Sequence, residues 1–212
     1  DAVLARYAPE VVVRDGSIAA DTRTTLDRDL HDDLAVLLST SGSTGSPRLV
    51  RLSHANLDSN AEAVVATLAL TDTDRAVTTL EPTYSYGLSV LHSHLAAGAG
   101  AVLTDLSVTD PGFKDIVRRH GGTTMAAVPY TFELLDRLGT SVLQTPSLRQ
   151  LTCAGGRLPA ATARRYAELG ERLGFELVVM YGATEATARM AVLPPHLAAS
   201  HPGTVGHAVP GG

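Results

Sequence analysis

The sequence predicts an α/β fold in which strands and helices alternate around a largely parallel sheet. Three observations carry this. From residue 34 onward, short apolar runs of strand character alternate with segments of helical period. The alternation has the pitch of strand–helix–strand units. The two most unusual stretches, residues 39–48 and 181–185, each follow a strand-like run directly, where parallel sheets place their ligand loops.

Residues 1–33 are a weakly patterned lead-in. Val11–Val13 suits one strand, and Asp15–Asp33, rich in Asp, Thr and Arg, reads as a solvated loop or edge segment. Residues 34–74 hold a buried-strand candidate, Leu34–Leu38, and a helix with Leu57, Ala61, Val64 and Leu68 on one face behind Ser53, a plausible N-cap. Residues 75–193 continue the pattern. Arg75–Leu80 is strand-like. Leu88, Leu91 and Leu95 mark a helix that stops near Gly98, and Ala101–Leu103 is a short strand. Phe113, Ile116 and Val117 mark a helix ended by Gly121 and Gly122. Thr123–Val128 is a strand, Phe132, Leu135 and Leu138 form a helix face, and Leu148–Cys153 is a strand. Ala163, Tyr166, Leu169 and Leu173 mark the next helix, with Glu168 placed four residues before Arg172. Phe175–Met180 reads as the last strand, and the Pro/Gly-rich tail, 194–212, reads as loop.

Composition bounds the function. The 212 residues, 44% hydrophobic and 18% charged, suit a globular protein with a real core. A net charge of -5 leaves no broad basic field, which argues against a general nucleic-acid binder. The one cysteine forbids an internal disulfide and a cysteine zinc cluster, and suits a reducing, cytoplasmic setting. No apolar run approaches the ~18 residues of a membrane span. Residues 1–10 have no charged head with an apolar stretch behind it, so no signal peptide is expected.

The sharpest feature is Ser39-Thr40-Ser41-Gly42-Ser43-Thr44-Gly45-Ser46-Pro47-Arg48. Its glycines let backbone N–H groups turn toward a ligand, its hydroxyls add donors, no carboxylate repels an anion, and Arg48 adds charge. A loop that wraps phosphates needs these properties. Gly42 and Gly45 stand too close for a Walker loop, and no Gly-x-Ser-x-Gly elbow occurs.

The run Thr40–Val50, followed by Ser53-His54-Ala55-Asn56, resembles the signature of the adenylate-forming superfamily: acyl-CoA synthetases, firefly luciferase and the adenylation domains of nonribosomal peptide synthetases. Arg48 stands where lysine is usual, which keeps the charge and changes its geometry from a point to a fork. Tyr181-Gly182-Ala183-Thr184-Glu185 resembles the family's second motif. By that resemblance Tyr181 and Gly182 lie against the adenine, Thr184 contacts the α-phosphate and Glu185 holds Mg²⁺. Ser41, Gly42, Ser43, Thr44, Gly45 and Arg48 cradle the phosphates of ATP, with Thr44, Thr184 and Glu185 closest to the chemistry. Gly155 and Gly156 resemble the segment lining the adenine pocket. Tyr84, Ser85, Tyr86 and Gly87 align with the acyl-pocket segment.

Amino-acid-activating members place an Asp near that segment. Thr83 to His92 contains no acid, so the resemblance points to a carboxylic acid without an α-amine, fatty or aryl. It implies an acyl-adenylate passed to a thiol, either CoA or the phosphopantetheine of a carrier protein. The family domain is much longer. Its first third, the later ribose-binding Asp and the C-terminal domain with its catalytic Lys have no counterpart here. The chain is therefore expected to be the central piece of the N-terminal adenylation domain of an AMP-forming ligase, little active alone, with surface free for self-association. The alternative is a non-catalytic relative serving as a scaffold or partner-binding module. His92 and His94, two apart, point to different helix faces and read as surface or seam residues. His196, His201 and His207 read as solvated, and Cys153 as a packed thiol.

Overall fold

The computed structural model describes residues 11–14, 17–20, 30–40 and 49–211. Its centre is a seven-stranded sheet. In chain order the elements are β1 (Val11–Arg14), β2 (Ser17–Ala20), β3 (Leu34–Ser39), β4 (Leu49–Ser53), α1 (His54–Leu68), β5 (Arg75–Val77), α2 (Ser85–Ala96) and β6 (Gly100–Val102). They continue with α3 (Phe113–Arg119), β7 (Thr124–Ala127), α4 (Pro129–Leu138), β8 (Gln150–Cys153), α5 (Ala160–Leu173), β9 (Glu176–Tyr181), β10 (Ala191–Leu193) and β11 (His207–Ala208). The sheet order is β11-β10-β9-β8-β7-β5-β6. Neighbours from β6 to β9 run parallel, while β10 and β11 close one edge antiparallel.

The expected α/β architecture is therefore present, and strand alternation explains its two cores. Val77, Met125, Ala127, Leu151, Cys153 and Leu177 face one side and pack with α3, α4 and α5. Ala76, Ala126, Val178 and Met180 face the other and pack with α1 and α2. Strand residues two apart share a face, and both faces are covered, as a parallel sheet requires.

Local chemistry sets the helix boundaries. Ser53 caps α1 as expected: Asn56 N–H donates to Ser53 Oγ at 3.1 Å, and Ser53 N–H donates to Asn56 Oδ1 at 3.0 Å. The Ser53-His54-Ala55-Asn56 run is thus a reciprocal helix cap. Pro129 opens α4 at a position that needs no N–H, with Val128 N–H donating to Thr131 Oγ1 at 3.2 Å. Gly174 ends α5 in the left-handed conformation.

Three expectations are corrected. The sequence assigns no strand between the hydroxyl–glycine loop and the Ser53 cap, but Leu49–Ser53 forms β4, which pairs antiparallel with β3 in a separate two-stranded sheet. The loop therefore links two antiparallel strands outside the parallel sheet, and β3 is mostly half-exposed, with Leu38 buried. The lead-in, read as one strand and a loop, forms an antiparallel hairpin of β1 and β2. Phe175–Met180 is not the last strand, since β10 and β11 add to the sheet beyond it, and the tail contains a 3-10 turn at Pro195–Leu197 as well as β11.

Candidate functional site

Three segments that leave the carboxyl side of the central sheet meet at one cavity of about 830 Å³. They are Tyr84–Tyr86 after β5, Ala154–Leu158 after β8, and Tyr181–Glu185 at the end of β9. Thr40, at the end of β3, and Gly203–Val205 complete the wall. This is where an open parallel sheet leaves room for a ligand, because its helices cover both faces and its loops fan apart at the strand ends.

The segments are joined by side chains. Ser85 Oγ and Thr184 Oγ1 lie 3.0 Å apart, which ties the expected acyl segment to the second motif across 99 residues of chain. The Tyr84 and Tyr86 rings meet edge to face at 6.3 Å. Tyr86 is buried, its hydroxyl 2.7 Å from Thr152 Oγ1 on β8. Burial pushes its pKa up to about 12, against the pull of the nearby Arg189 cation and the Thr152 bond, so it remains a neutral phenol. Tyr84 is part-exposed, with its hydroxyl against Gly155. Gly155 has φ +78, and a Cβ there would collide with that hydroxyl. Gly87 is not brought to the cavity wall. It lies in the first turn of α2, against the carbonyl of Glu81.

Tyr181 and Glu185 stand between the large cavity and a second one of about 510 Å³, and both line each of them. Both side chains are exposed. The backbone fixes their turn. Met190 N–H donates to Tyr181 O at 2.8 Å, and Ala191 pairs with Tyr181 in the ladder. A Cβ on Gly182 would strike the Ala188 carbonyl oxygen, so only glycine permits this approach. Thr187 and Ala188 take φ +58 and +85, conformations strained for residues with a Cβ.

Of the expected site residues, Tyr84, Ser85, Tyr86, Gly155, Gly156, Tyr181, Gly182, Thr184 and Glu185 converge on this cavity. Ser41, Gly42, Ser43, Thr44, Gly45 and Arg48 lie outside the described residues, although Thr40 at the root of their loop reaches the wall. Among the described residues no group of three or more His, Cys, Asp or Glu side chains is placed to hold a metal ion unaided. A lone exposed carboxylate such as Glu185 suits Mg²⁺, which uses one or two protein carboxylates with substrate phosphates and water.

Other titratable groups are structural. His94 is buried in the seam between α2 and the sheet, with Nδ1 2.8 Å from Val90 O and Nε2 2.7 Å from Thr124 Oγ1. Desolvation lowers its pKa, which keeps the imidazole neutral. Cys153 is buried, and burial raises its thiol to about 12, so it stays protonated and unreactive. His196, His201 and His207 are exposed.

Nothing in the sequence announced the burial of Arg189. It is 1% exposed. Its guanidinium carbon lies 5.0 Å from the centre of the Tyr86 ring, one terminal nitrogen is 4.0 Å from Met180 Sδ, and Nε has no hydrogen-bond partner among the described residues. Arginines are ordinarily surface residues, so burial had to be seen rather than inferred.

Residues 6–212 match the family model described as AMP-binding enzyme. The oxalate–CoA ligase of Arabidopsis thaliana is 32% identical over 203 residues, covering 93% of this chain and 38% of that enzyme. The structure of VinN in complex with L-aspartate superposes with a TM-score of 0.71 at 31% identity, covering 84% of this chain and 44% of that one. The o-succinylbenzoate CoA synthetase of Bacillus subtilis, in complex with ATP and magnesium ion, gives a TM-score of 0.67 at 25% identity over 82% of this chain and 35% of that one. The chain spans well under half the length of the curated relatives it matches.

Proposed function

Because the chain belongs to the AMP-binding enzyme family, we propose that it is the nucleotide-binding core of a ligase that activates a carboxylic acid without an α-amine, fatty or aryl, as its acyl-adenylate. The observation that carries this reading is the convergence of three separate segments on one cavity, pinned by the Ser85–Thr184 hydroxyl pair. The stretch from Thr83 to His92 offers no carboxylate to an ammonium group, which supports an acid without an α-amine.

In the proposed reaction a carboxylate oxygen of the substrate attacks the α-phosphorus of ATP. The bond between the α- and β-phosphates breaks and pyrophosphate leaves. A thiol, from CoA or a carrier protein's phosphopantetheine, then attacks the acyl carbon and AMP leaves. Tyr181 offers an exposed aromatic face beside the glycine segment for the adenine. Thr184, held by Ser85, orients a hydroxyl toward the α-phosphate. Glu185 would hold Mg²⁺, which when bound offsets phosphate charge. Ser41, Ser43, Thr44 and Arg48 supply donors to the β- and γ-phosphates. The cytoplasm, reducing and rich in ATP, suits a thiol acceptor.

Titration of the 212-residue chain with ATP·Mg²⁺ tests the roles. Glu185→Ala and Thr184→Ala should each weaken binding about tenfold, the size of one charge-assisted contact. Unchanged affinity in both would remove the assignment. Pyrophosphate exchange with a panel of fatty and aryl acids should show little turnover from this chain alone.

A further inference from the structure

At the other end of the sheet from the nucleotide site, where β8 and β9 begin, the fold leaves a separate cavity of about 380 Å³. Gln150 and Glu176 open these two strands as register partners, and both line it. The last turn of α1, from Ala66 to Ala69, forms a second wall, and the tail closes a third side with Pro194, Pro195 and His207. None of these residues takes part in the proposed reaction.

Three features give this cavity a surplus of hydrogen-bond acceptors. Gln150 is 4% exposed, and its Nε2 donates to Leu68 O at 3.2 Å and lies 3.4 Å from Glu176 Oε2. The Leu68 carbonyl fixes the amide this way round, because a flipped amide would set oxygen against oxygen. Gln150 Oε1 is then buried with no hydrogen-bond partner among the described residues, and a buried acceptor left so opposes folding. Glu176 is exposed, and no cation pairs with its carboxylate among the described residues. The third feature is the end of α1, a helix of 15 residues with no basic residue in its last turn, where the helix dipole places partial negative charge. Arg149 also reaches the Leu68 and Ala69 carbonyls, at 3.3 to 3.5 Å. Its short bonds, at 2.6 Å, go to Asp74, which balances its charge. The walls between these groups are apolar, with Val178, Val192 and the prolines.

We propose that this cavity binds a small organic ammonium ion, an alkyl or aryl amine in its protonated form, at a site distinct from the nucleotide cavity. The ammonium head donates to the Glu176 carboxylate beside the end of α1, with Gln150 Oε1 as the spare acceptor, and the hydrocarbon body lies against Val178, Val192 and the prolines. Each neighbouring class of ligand fits less well. An anion would meet Glu176 and the negative helix end. A bare divalent ion wants several oxygen ligands, and a single carboxylate lines the cavity. A neutral molecule would fill the apolar space and leave the carboxylate unanswered. The proposal does not depend on the reading of the large cavity.

The test titrates the 212-residue chain, with its methyl groups labelled for NMR, at neutral pH where the amines are protonated. The probes are hexylamine and benzylamine, each paired with the alcohol of the same skeleton, hexanol and benzyl alcohol. At least one amine should shift the methyl signals of Leu68, Val178 and Val192 to saturation. It should bind about tenfold more tightly than its alcohol, the size of one charge-assisted contact. Glu176→Gln, an exposed substitution that keeps the side-chain shape, should remove that preference and leave the alcohol's affinity unchanged. The proposal is overturned if amine and alcohol bind alike, or if the preference survives Glu176→Gln. It is equally overturned if millimolar amine gives no saturable shift, or if the shifts fall on residues of the large cavity such as Met180 and Ala183. ATP·Mg²⁺ titration of the same sample reports separately on the nucleotide reading, so either result can fail without the other.

Discussion

The fold buries ionic groups at both ends of its sheet and treats them in opposite ways. At the amino ends of β5 and β8, the buried Asp74 is saturated. Arg149 donates to both its oxygens at 2.6 Å, Thr123 Oγ1 donates to Oδ1 at 2.7 Å, and Thr71 N–H donates to Oδ2 at 2.9 Å. Burial alone would raise the Asp74 pKa, but the Arg149 guanidinium and the two threonines hold the carboxyl well below the usual carboxylate range. At the carboxyl side Arg189 has an aromatic face and a sulfur atom, and burial lowers its pKa with only the weak pull of Tyr86 in return. The Asp74 charge closes every bond within the protein, whereas the Arg189 Nε has no hydrogen-bond partner among the described residues.

Substitutions at the two ends should separate these cases. Removing the carboxylate with Asp74→Ala leaves Arg149 without its partner and should lower the unfolding free energy by about 3 kcal/mol in urea denaturation. Because folding depresses the Asp74 pKa, its contribution is complete above about pH 4 and is lost as pH falls toward the folded-state value. Acid titration of the variant should therefore lack that part of the loss. A variant as stable and as acid-sensitive as the parent would show that the network is ornamental. Arg189→Met should act with the opposite sign, raising stability by about 2 kcal/mol through relief of an unpaired buried charge. A comparable fall would reveal a protein partner for the guanidinium and erase the contrast. Tyr86→Phe should cost least, about 1 kcal/mol, for the hydrogen bond lost to Thr152. The same urea denaturation checks it.

Most of the central sheet was legible because its strands and helices switch hydrophobic period cleanly. Thr124–Ala127 and Gln150–Cys153 are buried throughout, and apart from Gln150 they read as continuous apolar or β-branched runs. The cap at Ser53 and the glycine stop at Gly174 were likewise local signals. The grouping of Tyr84–Tyr86, Gly155, Gly156 and Tyr181–Glu185 at one site was what the family resemblance implied. β4 was missed because Leu49–Ser53 adjoins a helix and pairs only with β3. β10 and β11 are three and two residues long, too short for a period to emerge among prolines and glycines. The Asp74–Arg149 pair joins residues 75 apart, with no local pattern to announce it. Gly87 was placed with its neighbours by resemblance to the family's acyl-pocket segment, but the first turn of α2 rotates it away from the cavity and onto the Glu81 carbonyl.

The turn between β9 and β10 sets Glu185 and Arg189 on one ruler. Tyr181 and Ala191 fix its two ends by ladder pairing, and the contact of Gly182 with Ala188 fixes its waist. Gaining or losing one residue inside it would shift the ladder by a step and turn alternate side chains to the other face of the sheet. Glu185 and the buried Arg189 would then both be misplaced, even with every motif residue still present. Chain length across this turn, as well as residue identity, thus sets where Glu185 and Arg189 stand.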